Sequence, residues 1–479
     1  MIKLRNNEFC LLSVMRSCSV HNVSRSVPRL RSPKSNLRRF DPIKTDVVAP
    51  EMLAVVPQSQ TFNPVTDSLY ASIRPIIMLA QCFSMFPVCG VNKSDASYLR
   101  FTWRSPKILY TFIVFLTVFF MSIYNVLWLL STGANSSKMS KSMTTFVFYT
   151  TNLISTVLFV RLAWQWPCLA LTWEKLEREL ASRYREISKI TLATRFKIVT
   201  IVVMLLALVE HSAAVVSAYI NAIECADTRG DTDIIGTYFQ MQFPQIFTKV
   251  SYSIWKGILV ETINVLSTFS WNFVDLFLIL ISIALANQFR QLNSRLYSIR
   301  GKHHVVIKAM PEWWWAEVRN DYNHLATLTR RVDSHVSCIV LLSFATNLYF
   351  ICIQLLFSFN PIRGIVRKIY YCLSFGFLLA RTTAVSLYVA SVHDESLLPA
   401  PILYSVSGSS YSNEVSRFLT QVTTDNISLT GMKFFSVTRS LVLTVAGTIV
   451  TYELVLVQFN SVQQVDQSNI TDSSCELEI

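Results

Sequence analysis

The sequence predicts an all-α membrane protein with about seven transmembrane helices, and three observations predict it. The chain of 479 residues is 52% hydrophobic and 15% charged, with mean hydropathy +0.39, whereas a soluble domain carries about a quarter charged residues. Apolar runs long enough to cross a bilayer recur along the chain. Lys and Arg gather in alternate segments between those runs. Only 11 glycines are present, which argues against a glycine-rich nucleotide fold. The net charge of +13 fits basic cytoplasmic loops better than nucleic-acid binding in so apolar a chain.

Residues 1–64 read as a basic, disordered cytoplasmic tail. Phe9–Met15 is too short for a secretory core and is followed by a basic stretch. Arg25–Arg39 is Arg/Ser-rich and acid-poor, as in a transit peptide, but the strongly apolar segments that follow favour the tail. Residues 65–107 form a pre-membrane segment. Within it Tyr70–Val88 is apolar but interrupted by Arg74, Pro75 and Pro87, which suits a re-entrant or interfacial helix. A span needs about 20 apolar residues. Seven stretches qualify: Ile108–Leu130, Met143–Leu162, Ile198–Ile220, Gly257–Ala286, Cys338–Phe357, Tyr370–Val392 and Phe434–Phe459. Residues 108–400 would form a ligand-binding bundle, 401–433 a cytoplasmic anchor, 434–459 the last span and 460–479 a short outer tail. Trp173–Arg185 and Pro311–Asp333 read as helical cytoplasmic segments.

Charge sets the orientation. With the N-terminus inside, the inner segments hold about 32 of the 43 Lys and Arg and the outer ones about 8. The C-terminal tail, with Asp466, Asp472, Glu476 and Glu478, would then lie outside, opposite to a G-protein-coupled receptor. The outer segments contain two glycosylation sequons, at Asn135 and Asn469. Asn22, Asn92 and Asn426 match the same pattern but fall inside. Of the 10 cysteines only Cys225 and Cys475 should face outward; no disulfide framework is indicated, and a single bridge between these two is the less favoured alternative.

The last span carries Ser440, Thr444, Thr448, Thr451, Val455 and Gln458 at spacings of three and four, hence on one face. Several copies around an axis would line a narrow wetted path with a dry ring at Val455, able to gate by dewetting. Small hydroxyl residues also mediate ordinary helix packing in membranes, so the stripe alone leaves both readings open.

Buried polar residues mark a candidate pocket. The fourth span aligns Glu261, Asn264, Thr268, Trp271, Asn272 and Asp275 on one face, and the fifth aligns Ser343, Asn347, Gln354 and Ser358. The third carries Glu210 and His211, and the sixth carries Arg381. Ionisable groups within a span face the bundle interior and mark functional sites by default. Tyr124, Trp128, Tyr149, Tyr252, Trp255, Tyr370 and Tyr371 add aromatics in the outer halves. Carboxylates and amides beside Trp and Tyr suit a polyol, with hydroxyls for the first and C–H faces for the second. Asp275 and Arg381 read equally well as a structural ion pair. No phosphate loop, nucleophile elbow or metal-ligand cluster is visible, so neither an enzyme nor a bound cofactor is expected.

At the end of the last span stands Thr451-Tyr452-Glu453-Leu454-Val455-Leu456-Val457-Gln458-Phe459. This resembles the signature of insect gustatory receptors, and Glu453 resembles the sugar-receptor branch. Leu208–His211, Leu266–Phe277, Trp314–Arg331 and Ser391–Ser396 fit the same branch. The resemblance covers residues 65–460. It implies an insect chemoreceptor channel fold of seven helices with inverted topology, and a ligand-gated, nonselective cation channel in the plasma membrane of taste neurons. The assembly would be a homotetramer, or a heteromer with related receptors, with the sugar held in the outer halves of the first six helices. By position it implies gate roles for Val455, Gln458 and Phe459, and a ligand-binding polar pair at Glu210 and His211. The competing readings are an odorant- or bitter-type channel of the same architecture, a metabotropic seven-helix receptor, and a transporter.

Overall fold

The computed structural model describes residues 68–131, 136–181, 183–184, 191–299, 310–358 and 364–463, leaving aside the side chains of 136–141, 453–454 and 456–463. The sequons Asn135 and Asn469, and the tail before Ser68, lie outside them. Ten helices organise this part: α1 (Leu69–Cys82), α2 (Pro106–Ser131), α3 (Ser136–Ala181), α4 (Leu192–Arg229), α5 (Ile234–Gln242), α6 (Ile254–Ser298), α7 (Glu312–Ser358), α8 (Ile365–Leu397), α9 (Asn413–Thr424) and α10 (Arg439–Gln463). A two-stranded hairpin, β1 (Thr430–Gly431) and β2 (Phe435–Ser436), precedes α10. Short helical turns occupy Pro244–Phe247 and Pro399–Tyr404.

Among the described residues six helices are long and apolar enough to cross a membrane: α2, α3, α4, α6, α7 and α8. Their outer surfaces are apolar, the reverse of a soluble protein: Ile201 is 63% exposed, Leu109 60% and Leu205 56%. Lipid solvates such a surface and water does not, so the chain is a multi-pass membrane protein. The apolar stretch of α6 is 89% buried, against 17% for α4, which makes α6 the central helix.

Helix boundaries differ from those of the apolar runs. Trp173–Arg185 and Pro311–Asp333, expected to be helical, are largely continuations of the membrane helices. α3 runs without a break to Ala181, and α7 begins at Glu312. Hydropathy falls where these chains leave the apolar layer, but helical propensity does not, because Glu, Lys, Leu and Arg continue the helix. The last helix also starts later than Phe434. Met432 and Lys433 adopt positive φ, 51° and 63°, the turn conformation of a hairpin. Thr430 pairs with Ser436 and Gly431 with Phe435, so helix begins only at Arg439.

The extended ends of α3, α6, α7 and α8 form the basic end of the bundle. Glu177 on α3 is buried there. It accepts hydrogen bonds from the Leu69 amide at the start of α1, from Trp173 Nε1 and from Gln288 Nε2 on α6, each at 3.0 Å. The carboxylate satisfies an orphan amide at the α1 N-terminus. Arg183 pairs with Asp321, whose other oxygen accepts from the Tyr184 hydroxyl at 2.7 Å. Arg319 and Arg417 both bind Glu414 on α9 at 2.8 Å and hold its carboxyl below the usual carboxylate range. Asp333 on α7 accepts from the amide and hydroxyl of Thr430, at 2.6 and 2.9 Å, and so anchors the hairpin that leads into α10.

Deep in the bundle an ion pair joins α6 to α8. Arg381 Nε lies 2.9 Å from Asp275 Oδ2, each side chain 2% exposed. Arg381 also donates to the Asn272 carbonyl oxygen and, at 3.3 Å, to that of Asn347. Asp275 accepts from the Ser343 hydroxyl at 2.5 Å and from Asn347 Nδ2 at 3.0 Å. The guanidinium lies 4.1 Å from the Trp271 ring centroid, a cation–π geometry that is strengthened by desolvation. Arg381 Nε, although 2.9 Å from Asp275, is buried without a hydrogen bond; the other contacts of this layer tie α6, α7 and α8 together.

Removing one partner leaves an uncompensated buried charge. Arg381→Ala is expected to destabilise the detergent-solubilised protein by about 3–5 kcal/mol. The double variant Asp275→Leu/Arg381→Met is expected to recover most of that loss. Thermal unfolding followed by size-exclusion chromatography checks both; an unchanged midpoint in Arg381→Ala would contradict the assignment.

Candidate functional site

Towards the other, distal end the polar residues separate into two chains, because adjacent residues on a helix point about 100° apart. Glu210 on α4 turns to α8, where its carboxylate accepts from the Ser374 hydroxyl at 2.8 Å. Ser374 in turn accepts from Gln354 Nε2 on α7 at 3.4 Å, and the Tyr371 hydroxyl donates to the Gln354 backbone carbonyl at 2.7 Å. His211, the next residue on α4, turns instead to α6. Its Nε2 lies 3.6 Å from Glu261 Oε1, beyond hydrogen-bond length. Glu261 Oε2 accepts from the Tyr238 hydroxyl on α5 at 3.3 Å.

These chains are incomplete in a specific way. His211 Nε2, Glu261 Oε1, Gln354 Oε1 and the Tyr252 hydroxyl are buried without a hydrogen-bond partner. Buried polar atoms are almost always satisfied, and each unsatisfied one costs about 1–3 kcal/mol. The unmet donors and acceptors come from α4, α6, α7 and the segment before α6. Two aromatic clusters flank them. Tyr149 on α3 is buried with Tyr238, Phe239 and Phe243. Trp271 packs on Phe350 at 4.8 Å and on Phe148 at 6.0 Å, ring centroid to centroid.

The residues singled out from sequence divide accordingly. Glu210, His211, Glu261 and Gln354 belong to the two chains, and Tyr149 lies in the flanking cluster. Asn272 and Asn347 are committed to Arg381 and Asp275, one layer deeper, with Trp271 stacked on that ion pair. Asn264 is half-buried on α6. Trp255 does not join the group: it is 62% exposed in the first turn of α6, with the Lys256 ammonium 5.7 Å from its ring centroid. Tyr238 and Ser374 were missed. Ser374 stands seven residues before Arg381, on the same face of α8, a spacing that points to it. Tyr238 lies in the short amphipathic α5, outside any apolar run.

On α10 the hydroxyls of Thr444, Thr448 and Thr451 bond back to the carbonyls of Ser440, Thr444 and Gly447, each at 2.9 Å. Thr448 and Thr451 are exposed, and Val455 is 41% exposed. The side chains of Gln458 and Phe459 lie outside the described residues. Ile449, on another face, packs with Phe350, Leu355 and Leu378. The stripe is therefore uncovered in the single chain. At the basic end of α10, Arg439 Nε lies 2.5 Å from Asp394 on α8. Cys225, at the distal end of α4, is disulfide-bonded, a single bridge of the kind weighed from the sequence as the alternative to none. Among the described residues no group of three His, Cys, Asp or Glu is placed to hold a metal ion.

Residues 41–471 match the family model described as "Trehalose receptor". The chain is similar to "Gustatory receptor for sugar taste 64f" of Drosophila melanogaster, with 37% identity over 84% of this chain and 83% of that one. It is also similar to "Gustatory receptor 5a for trehalose" of the same organism, with 34% identity over 82% and 85%. Among solved structures, the fold matches the insect olfactory receptor OR5 from Machilis hrabei in complex with eugenol. The TM-score is 0.58, with 13% identity, over 81% of this chain and 97% of that one. The chain thus has the insect chemoreceptor fold, and it belongs to the trehalose receptor family, within the insect gustatory receptors.

Proposed function

We propose that this chain is a sugar receptor that acts as a ligand-gated, nonselective cation channel in the plasma membrane of taste neurons. The observation that carries the reading is the set of buried, unpartnered atoms on His211, Glu261 and Gln354 beside the Glu210–Ser374 pair. A polyol supplies donors and acceptors together and can meet all of them. An apolar odorant cannot, so it would leave the same groups unsatisfied. The sugar and trehalose receptors among its relatives support the same ligand class.

The proposed topology has seven spans, with α10 as the seventh, the basic end in the cytoplasm and the distal end outside. Four copies, identical or from related receptors, would bring the uncovered stripe of α10 around one axis. Thr448 and Thr451 would then line the wetted path, and Val455, with Gln458 and Phe459 on its outer side, would form the constriction.

α8 links ligand to gate. It carries Ser374 in the sugar layer, Arg381 in the ion pair and Asp394 on the root of α10. Sugar that binds more tightly to a contracted site would draw α8 towards α4 and α7, and Asp394 would carry the displacement to Arg439. Only a difference in affinity between closed and open states can drive this.

Glu210→Ala removes a carboxylate acceptor and is expected to raise the half-activating sugar concentration about 10–100-fold. The basal current of a pore variant should be unaffected, and a wild-type dose response would remove Glu210 from the site. Val455→Ser is expected to raise the current recorded without sugar, since a hydroxyl wets the constriction. Unchanged basal current at normal surface expression would count against the gate. Asp394→Asn is expected to weaken sugar-evoked current without altering sugar binding, and the charge swap Asp394→Arg/Arg439→Asp to restore part of it. Equal loss of binding and current in Asp394→Asn would show that the contact does not transmit gating.

A further inference from the structure

We infer that a groove between α4, α6 and α8 at the basic end of the bundle binds a phospholipid with an anionic headgroup. The groove encloses about 880 Å³. Its walls are Ile198 and Val199 of α4, Ile283 of α6, and Leu379, Ala384 and Leu387 of α8, with Arg195, Arg290, Tyr388 and Ser391 towards the basic end.

Three features select the occupant. The first is length. Leu379 and Ser391 are twelve residues apart on α8, about 18 Å along the axis. That is close to one leaflet of a hydrocarbon core about 30 Å thick, so an acyl chain fills the groove from its apolar end to its polar end. The second is access. Leu379, Thr383, Leu387 and Tyr388 are exposed on the outer face of α8, so a lipid can enter from the side. The third is charge. The lining holds two arginines and no carboxylate, and both arginines lie where a headgroup would sit. Glu395 engages Arg290 through Nε and one terminal nitrogen, at 3.0 and 2.6 Å, yet the Arg290 side chain remains 50% exposed and lines the groove. A zwitterionic lipid would fit the walls but gain less from the two guanidinium groups, since basic pockets between spans favour anionic headgroups.

The groove runs along α8 from Leu379 to Ser391, so its occupant would bear on the helix proposed to link sugar and gate. The leaflet, though not the site, rests on the proposed cytoplasmic position of the basic end.

The test uses the full chain in phosphatidylcholine nanodiscs doped with phosphatidylserine bearing a photoreactive acyl chain, with labelled peptides mapped after irradiation. Labelling is expected in 379–391 of α8 and around Ile283. Unlabelled phosphatidylserine should displace the probe at about tenfold lower concentration than phosphatidylcholine. Arg195→Gln/Arg290→Gln should abolish that preference. Leu387→Trp keeps both arginines and the Arg290–Glu395 pair, and should block labelling by filling the groove. Equal competition by the two lipids in the unmodified chain would overturn the proposal in favour of neutral annular lipid. Cross-links between copies at these residues, without lipid labelling, would overturn it in favour of a subunit contact. Because the readout is lipid labelling, failure here is separable from failure of the sugar reading.

Discussion

A guanidinium and a carboxylate in the apolar interior of a helix bundle set the terms for everything around them. Arg381 and Asp275 are nearly inaccessible, and each would cost several kcal/mol alone at this depth. The bundle neutralises them by drawing in Asn272, Asn347, Ser343 and the face of Trp271. Those contacts fix how α6, α7 and α8 meet. They also commit the side chains of Asn272 and Asn347, while Arg381 Nε stays buried without a hydrogen bond.

The layer towards the distal end is different in kind. Glu210 and His211 are neighbours in sequence but engage different helices, the first reaching α8 and the second α6. Each chain of polar groups ends in atoms that lack a partner. A layer held by a buried ion pair below and a layer of incomplete hydrogen-bond chains above is an arrangement in which binding energy in one can act against the other. α8 passes through both and continues to Asp394, about 30 Å from Ser374 along the helix axis, where it holds the root of α10. Because the hairpin before α10 is anchored separately on α7 through Asp333, a shift of α8 relative to α7 would reach α10 as a change in the angle between two fixed points.

Much of this was legible in the sequence, for a definite reason. Helical spacing shows which residues share a face, so Glu261 and Gln354 were found on inward faces, and the hydroxyl stripe of α10 was read directly. Spacing does not show which neighbour a face meets. Asn272 and Asn347 therefore looked available, although packing commits both to the ion pair, and Trp255 looked inward although it stands in the exposed first turn of α6. Hydropathy marks where a helix leaves the apolar layer and not where it ends; the helix-forming residues beyond that point are why Trp173–Arg185 and Pro311–Asp333 were read as helical. Met432 and Lys433 carry no turn signature of the Gly or Asn kind, which is why the last span was started at Phe434, just before the second strand, and not at Arg439. Tyr238 lies in a segment too short to register as a span, yet α5 brings its hydroxyl onto Glu261.

The central claim is that sugar held in the distal layer opens a pore formed by α10 of the same assembly. Its most direct test is whole-cell recording from cells that express this chain at the surface, during rapid application of a panel of mono- and disaccharides, with G-protein signalling blocked. The account predicts a fast inward cation current, evoked by at least one sugar and unaffected by the block. A sugar response that disappears under the block, at unchanged surface expression, would contradict it.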